Sequence, residues 1–215
     1  MTRLVAAPAI RFAALAACVA VAIAIAHEVH EGQPIAADVA IMQAVHAHAN
    51  PFLDALMRAL TFLGGPIGSS IVTVCAAAVL ALRGERAPAI ALIAGVIFAS
   101  LLDAALKEVF ERVRPQLWPH APVPGDSFPS GHAVTSIVLY GGIAALFGRE
   151  MPRYAVALAI AAGALVAGIA FSRVYLGVHW PTDVVAGVAI GYVCLIVMLA
   201  AERKFHPGPR GAKHR

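Results

Sequence analysis

Six long apolar stretches, at about 5–26, 66–82, 87–106, 132–147, 154–171 and 184–201, constrain this chain more than any other feature. A helix that crosses a bilayer needs roughly 20 predominantly apolar residues, so a chain of 215 residues holds at most about six or seven of them and no sizeable aqueous domain. Composition agrees: 60% of the residues are hydrophobic, 13% are charged, and the mean hydropathy is +0.81. Those values exclude a water-soluble globular domain, and they exclude disorder because so apolar a chain does not stay solvated. The expected fold is all-α: a six-transmembrane-helix bundle over 1–201 forming one integral-membrane domain, followed by a basic cytoplasmic tail at 202–215.

Turn and charge signals separate the stretches: Gly64-Gly65-Pro66, the run Arg83 to Arg86, the Pro-rich stretch 115–129, the run Gly148 to Arg153, and His179-Trp180-Pro181. Six spans put both termini on one side. That side carries eleven basic residues (Arg3, Arg11, Arg83, Arg86, Arg149, Arg153, Arg203, Lys204, Arg210, Lys213, Arg215), and the other carries five (Arg58, Lys107, Arg112, Arg114, Arg173). Basic loops stay cytoplasmic, so 27–65, 107–131 and 172–183 are expected to face outward.

The first outward segment is read as lying on the membrane rather than crossing it. Asn50-Pro51 has the form of a helix cap followed by a first-turn proline. Phe52, Leu53, Leu56, Leu60 and Leu63 then occupy one side, and Asp54 with Arg58 the other, which predicts one additional interfacial helix. The first apolar run ends in Ala24-Ile25-Ala26, which has the form of a signal-peptide cleavage site. It is read as an uncleaved first helix extending back to Val5; cleavage would leave five spans and the same outward face. His27, Glu28, His30 and Glu31 lack the histidine spacing of a zinc-binding helix and are read as a solvated turn. His46, His48 and His120 are expected at the interface, Trp118 and Trp180 in an outer aromatic belt. The cysteines Cys18, Cys75 and Cys194 all fall in apolar stretches and carry no redox or metal signal.

Ionisable groups near a membrane bundle are functional suspects, and here they cluster in three short outward blocks. The first is Lys107-x6-Arg114-Pro115. If the third helix continues to Pro115, two turns put both cations on one side; alternatively Lys107 pairs with Asp103 at i,i+4 and Arg114 anchors at the headgroups. The second is Pro129-Ser130-Gly131-His132, where Ser130 stands at an N-cap position and Gly131 lets backbone approach a ligand, so that free N–H groups make an anion site. The third is Ser172-Arg173-x5-His179-x3-Asp183. A carboxylate one turn from an imidazole can fix its tautomer and leave the other nitrogen as nucleophile or base; a metal pair or a simple cap are the other readings. A metal centre is disfavoured because the outward segments lack a second convergent carboxylate cluster. Three cations, a helix N-terminus and two histidines, one with an orienting aspartate, together suit phosphoryl transfer through a phosphohistidine.

The three blocks resemble the signature of the type 2 phosphatidic acid phosphatase superfamily, K-x6-RP, PSGH and SR-x5-H-x3-D, with no departure at the named positions. The resemblance implies that His179 attacks phosphorus, that Asp183 orients it, and that His132 protonates the leaving oxygen and then activates water. Lys107, Arg114, Ser130, Gly131 and Arg173 would hold the phosphate, with no metal ion or other cofactor. The implied partner is a lipid phosphate in the bilayer, not nucleic acid; oligomeric state is not specified. The compact, Ala-rich chain is similar to bacterial members, which sets the expected location as the inner membrane with a periplasmic active site. A polyprenyl diphosphate such as undecaprenyl diphosphate is the first substrate expected. Phosphatidic acid, phosphatidylglycerol phosphate, or transfer of the phosphoryl group to a lipid acceptor are the alternatives.

Overall fold

The computed structural model describes residues 8–32, 35–119 and 122–205, and within them the chain is helical without strands. Its long elements are α1 (Pro8–His30), α2 (Ala36–His46), α3 (Pro51–Gly64), α4 (Pro66–Leu82), α5 (Arg86–Phe110), α6 (Gly131–Glu150), α7 (Ala155–Tyr175) and α8 (Pro181–Phe205). Five stretches are long and apolar enough to cross a membrane: Phe12–His30, Arg86–Phe110, Gly131–Glu150, Pro152–Tyr175 and Pro181–Lys204. The protein is a multi-pass membrane helical bundle. Several helices extend past the apolar runs that announce them, because their end turns carry polar residues that the runs stop short of. The first is an example: His27, Glu28 and His30 close α1 instead of forming a turn, and Glu31 opens the turn that follows, with a His27–Glu31 ion pair at 3.3 Å on the exposed side.

The segment between α1 and α4 departs from expectation. It holds two helices, not one. Asn50 caps α3 as the sequence indicates, its side chain accepting from Leu53 N–H at 3.0 Å. α3 then leads through Gly64-Gly65-Pro66 into α4 with a bend of 55°. At about 1.5 Å per residue α4 alone is shorter than a bilayer core, and the bent pair supplies the sixth span when counted as one. α2, not foreseen, seats the fully buried Met42 against Ala133, Ala170, Val174 and Val184, at the end of the bundle where α6 and α8 begin.

α6 is the central helix, packed by α5, α7 and α8. Its Val134, Val138 and Leu139 are fully buried and join Leu80, Leu92, Ile169 and Met198 in the main core. Lipid tails are as apolar as leucine, so helices here associate through close packing more than through escape from solvent. Small residues permit that approach. A Cβ added at Gly187 would stand 2.8 Å from the Ser130 carbonyl oxygen, and one at Gly191 would stand 2.7 Å from that of Val134. Those two glycines, one turn apart on α8, therefore let its backbone lie against the start of α6, where the second signature block sits. α1 is peripheral, packed along α8 with Phe12 and Ile23 largely exposed. At the bundle end remote from the three blocks, Arg149 pairs with Glu202 at 2.5 Å and Arg83 lies over the Phe147 ring. Cys18, Cys75 and Cys194 are free thiols. Residues 206–215, which make up most of the expected tail and include His206 and His214, lie outside the described residues, as does His120.

Candidate active site

Ends of α5, α6, α7 and α8 bring the three blocks together. α5 stops at Phe110, not at Pro115: Glu111 takes a left-handed conformation, φ 44°, and donates its N–H to the Lys107 carbonyl. A proline disfavours helical conformation in the residue before it, and here the chain leaves the helix a full turn earlier. Arg114 therefore enters from a non-helical strap and not from the same helix side as Lys107. Its guanidinium is gripped by main-chain carbonyls, from Nε to Gly125 (2.9 Å), from Nη1 to Val178 (2.8 Å), and from Nη2 to Pro124 (3.2 Å) and Asp126 (3.0 Å). These acceptors are neutral. They fix the cation without cancelling it.

Lys107 donates to Asp103 Oδ1 at 2.5 Å and to the Pro129 carbonyl at 2.9 Å. The pairing with Asp103 is the alternative reading of this lysine, and the shared helix side with Arg114 does not hold; the ammonium also reaches across to the second block. Asp103 in turn explains Gly131, because a Cβ there would lie 2.5 Å from Asp103 Oδ2. Ser130 occupies the N-cap of α6, but its side chain makes no capping bond, and its buried Oγ has no partner. His132 follows in the first turn, against the α3–α4 bend; a Cβ at Gly65 would stand 3.4 Å from its Nε2. It lies within electrostatic reach of Arg173, His179, Lys107 and Arg114.

Arg173, 5% exposed at the end of α7, donates from Nη1 to Thr61 Oγ1 on α3, while its Nε has no partner. Among the described residues, the buried side-chain atoms without a hydrogen-bond partner are Ser130 Oγ, Ser136 Oγ and Arg173 Nε. Buried donors left open are rare in folded proteins and call for a reason. Ser130 and Arg173 belong to signature blocks that meet here, and an anion with several acceptor oxygens suits such donors.

His179, 2% exposed, sits in the turn between α7 and α8. Its Nδ1 is 2.8 Å from the Ser127 carbonyl oxygen and 3.5 Å from Asp183 Oδ2, and its Nε2 is 3.0 Å from Arg114 Nη1. A guanidinium has no acceptor, so Nε2 must present its lone pair and the proton must reside on Nδ1, donated to Ser127. Burial, reinforced by the charges of Arg173 and Arg114 and opposed by Asp183, pushes the imidazole down to about 4. A neutral ring with its Nε2 lone pair aimed among cations is the state a nitrogen nucleophile requires. Asp183 is itself saturated. Oδ2 accepts from Trp180 N–H at 2.9 Å and from the Ser127 hydroxyl, and Oδ1 accepts from Arg112 at 2.5 Å. It meets His179 directly across 3.5 Å and is also joined to it by the hydrogen bonds of Ser127.

Four residues in this arrangement escape the signature. Ser127, fully buried, bridges His179 and Asp183, and its N–H donates to the Arg112 carbonyl at 2.7 Å. Arg112 stands between the two signature cations of the first block. Thr61 receives Arg173, and Asp38 lies behind Arg112 at 3.0 Å. Asp38 had one legible signal: it is a lone carboxylate in the apolar sequence that opens α2, where an ionisable group is expensive and therefore suspect. The expected aromatic belt is more specific in place. Trp118 stacks on His46 with ring centroids 4.0 Å apart, and Trp180 Nε1 donates to Val113 at 2.9 Å. Among the described residues, no three His, Cys, Asp or Glu side chains converge as a metal-holding group.

The family model of the PAP2 superfamily matches residues 88–207, which contain all three blocks. Phosphatidylglycerophosphatase B of Bacillus subtilis is 30% identical over 185 residues, covering 84% of this chain and 90% of that protein. The undecaprenyl-diphosphatase of Sulfolobus acidocaldarius is 36% identical over 121 residues, 54% of this chain and 55% of that protein. In three dimensions, the crystal structure of a transmembrane PAP2-type phosphatidylglycerolphosphate phosphatase from Bacillus subtilis superimposes with a TM-score of 0.82 at 27% identity. That match covers 94% of this chain and 98% of the other.

Proposed function

The chain belongs to the PAP2 superfamily, whose relatives are phosphatases, and from that premise we propose that it hydrolyses a lipid phosphate through a phosphohistidine on His179. One observation carries the reading: the His179 Nε2 lone pair faces Arg114, whose charge is held by neutral carbonyls, beside the open donors of Arg173 and Ser130. Such a cluster is preorganised for the equatorial oxygens of one phosphoryl group. Nε2 attacks phosphorus, a P–N bond forms as the bond to the leaving oxygen breaks, and His132 supplies the proton that the leaving oxygen takes. A water then loses a proton to His132 and attacks phosphorus. The P–N bond breaks, releasing inorganic phosphate and neutral His179. Lys107, Arg114, Arg173, Ser130 and the N–H groups at Gly131 and His132 hold the transferring oxygens, and the charge of Asp183, 3.5 Å from Nδ1, steadies the imidazolium.

The lipid tail remains in the bilayer while its phosphate reaches the end of the bundle. Near-full-length likeness to phosphatidylglycerophosphatase B supports phosphatidylglycerol phosphate as the first substrate to test. A polyprenyl diphosphate is the second reading, favoured by the likeness to the undecaprenyl-diphosphatase. The distribution of basic residues supports a bacterial inner-membrane location with both termini cytoplasmic and the site facing the periplasm.

Phosphate release by detergent-purified protein, with EDTA present, on phosphatidylglycerol phosphate, undecaprenyl diphosphate, phosphatidic acid and diacylglycerol diphosphate tests the proposal. The expected result is turnover that His179→Ala lowers by at least about 10³-fold, as loss of a nucleophile does. Turnover retained by His179→Ala, or abolished in the wild type by EDTA, would overturn it. Release that falls when a lipid alcohol is added would favour phosphotransfer over hydrolysis.

A further inference from the structure

The outward face carries a fourth largely enclosed cation that is placed quite differently from the three of the signature. Arg112 donates from Nη1 to Asp183 Oδ1 at 2.5 Å and to Thr182 Oγ1 at 2.8 Å, and from Nη2 to Asp38 Oδ2 at 3.0 Å. Its side chain is 13% exposed, those of Asp38 and Asp183 are 2% and 0% exposed, and its guanidinium lies 5.5 Å from the Trp180 ring centre. Asp38 also accepts from Thr182, at Oδ1 from the N–H (2.9 Å) and at Oδ2 from the hydroxyl (2.6 Å). One carboxylate of α2 thereby holds both the first turn of α8 and the arginine that holds Asp183. The fork of a guanidinium suits a bridge between two carboxylates, and a lysine's single nitrogen does not reproduce it.

Charge separates Arg112 from Arg114. The hydrogen bonds of Arg114 to protein carbonyls leave its charge available to an anion, whereas Arg112 lies between two carboxylates that more than cancel it. A phosphate would gain little from Arg112 and would be repelled by the pair around it. What Arg112 does reach is the chain of contacts that fixes the nucleophile: Asp183 to the Ser127 hydroxyl, and the Ser127 carbonyl to His179 Nδ1. Arg112 and Ser127 are joined directly as well, through Ser127 N–H to Arg112 C=O.

We propose that Arg112 and Asp38 are positioning residues for phosphoryl transfer, locking the His179 turn to α2 through Asp183, and that neither binds the phosphate. The proposal rests on the phosphatase reading for its kinetic readout. It makes the otherwise unremarkable α2 part of the catalytic machinery, because α2 carries the carboxylate from which the lock is anchored.

The test compares Asp38→Asn, Arg112→Lys and Arg112→Gln with wild type and Arg114→Ala, each checked for a single detergent-solubilised species by size exclusion. Readouts are kcat, KM, competitive inhibition by inorganic phosphate, and the His179 imidazole resonances in 15N-histidine-labelled protein. Asp38→Asn is expected to lower kcat about tenfold and Arg112→Gln by up to about 100-fold, in the range typical of residues that orient a catalytic group. KM and phosphate inhibition should stay within about twofold of wild type, Arg112→Lys should recover part of the loss, and the Nδ1–H signal should shift or broaden. Arg114→Ala, by contrast, should weaken phosphate inhibition at least about tenfold. Weakened phosphate inhibition of that size in the Arg112 variants would make Arg112 a phosphate ligand and overturn the proposal. So would wild-type kcat with an unmoved His179 signal in Asp38→Asn. Should Arg112→Gln fail to fold, Asp38→Asn and Arg112→Lys decide the matter. A wild type inactive on every lipid would sink the phosphatase reading alone, and the His179 resonance would then decide the lock on its own.

Discussion

Arg149 and Arg114 sit towards opposite ends of the bundle and are held in opposite ways. Arg149 meets the buried carboxylate of Glu202 at 2.5 Å, one charge against one. Arg114 meets four carbonyl oxygens and the lone pair of His179 Nε2. Arg149 is closed off by its carboxylate partner. At the other end Lys107 keeps the Asp103 carboxylate as a partner, but Arg114 and Arg173 are fixed in place by neutral acceptors, with Arg173 tied to Thr61 and its Nε left open. Burying a charge is costly unless it is compensated, so a fold that leaves cations uncompensated in one place is arranged for a ligand of opposite sign. The lesson extends to Arg112, which lies at the site end yet is paired like Arg149, and its partners are structural.

Removing the open cations should have the largest effect. Arg114→Ala and Arg173→Ala are each expected to lower kcat/KM by about 10²–10³-fold, as loss of a donor to a developing charge does, with a parallel loss of inhibition by inorganic phosphate. Steady-state kinetics check this, and near-wild-type kcat/KM in both would erase the distinction between the two ends. Gly131→Ala should act less strongly, through crowding. The new Cβ would press on the Asp103 carboxylate that holds Lys107, so we expect about a tenfold loss of kcat/KM and about 1–3 kcal/mol of destabilisation, typical of overpacking. Thermal unfolding in detergent beside kinetics separates the two. Arg149→Leu sharpens the comparison from the other side. Its side chain is 34% exposed, which discounts the cost of stranding Glu202 to about 1–3 kcal/mol, while turnover per folded molecule should remain within about threefold. A large loss of turnover without unfolding would show that the remote end also serves the chemistry.

Much of this was legible in the sequence because membrane helices and a phosphate site are both written in contiguous signals. Apolar runs marked the spans, and Lys107, Arg114, Ser130, His132, Arg173 and His179 do converge in space. What the sequence hid was contact between distant segments. Nothing local to Asp38 announces that it faces Arg112, 74 residues away, or that Ser127 stands between His179 and Asp183. The spacing of Lys107 and Arg114 suggested a shared helix side, and the left-handed Glu111 ends that helix early instead. Likewise, α3 read as an isolated amphipathic helix, because the 55° bend that joins it to α4 depends on packing at Gly64 and Gly65 against α6 and α7.

The decisive measurement is capture of the covalent intermediate: brief reaction of the purified protein with 32P-labelled phosphatidylglycerol phosphate, an alkaline quench that preserves phosphohistidine, and mapping of the labelled peptide. Label on His179, absent from His179→Ala and prolonged in His132→Ala because the attacking water loses its base, is the expected result. Turnover by the wild type with no label on His179, or with label on another residue, would contradict nucleophilic attack by the Nε2 lone pair.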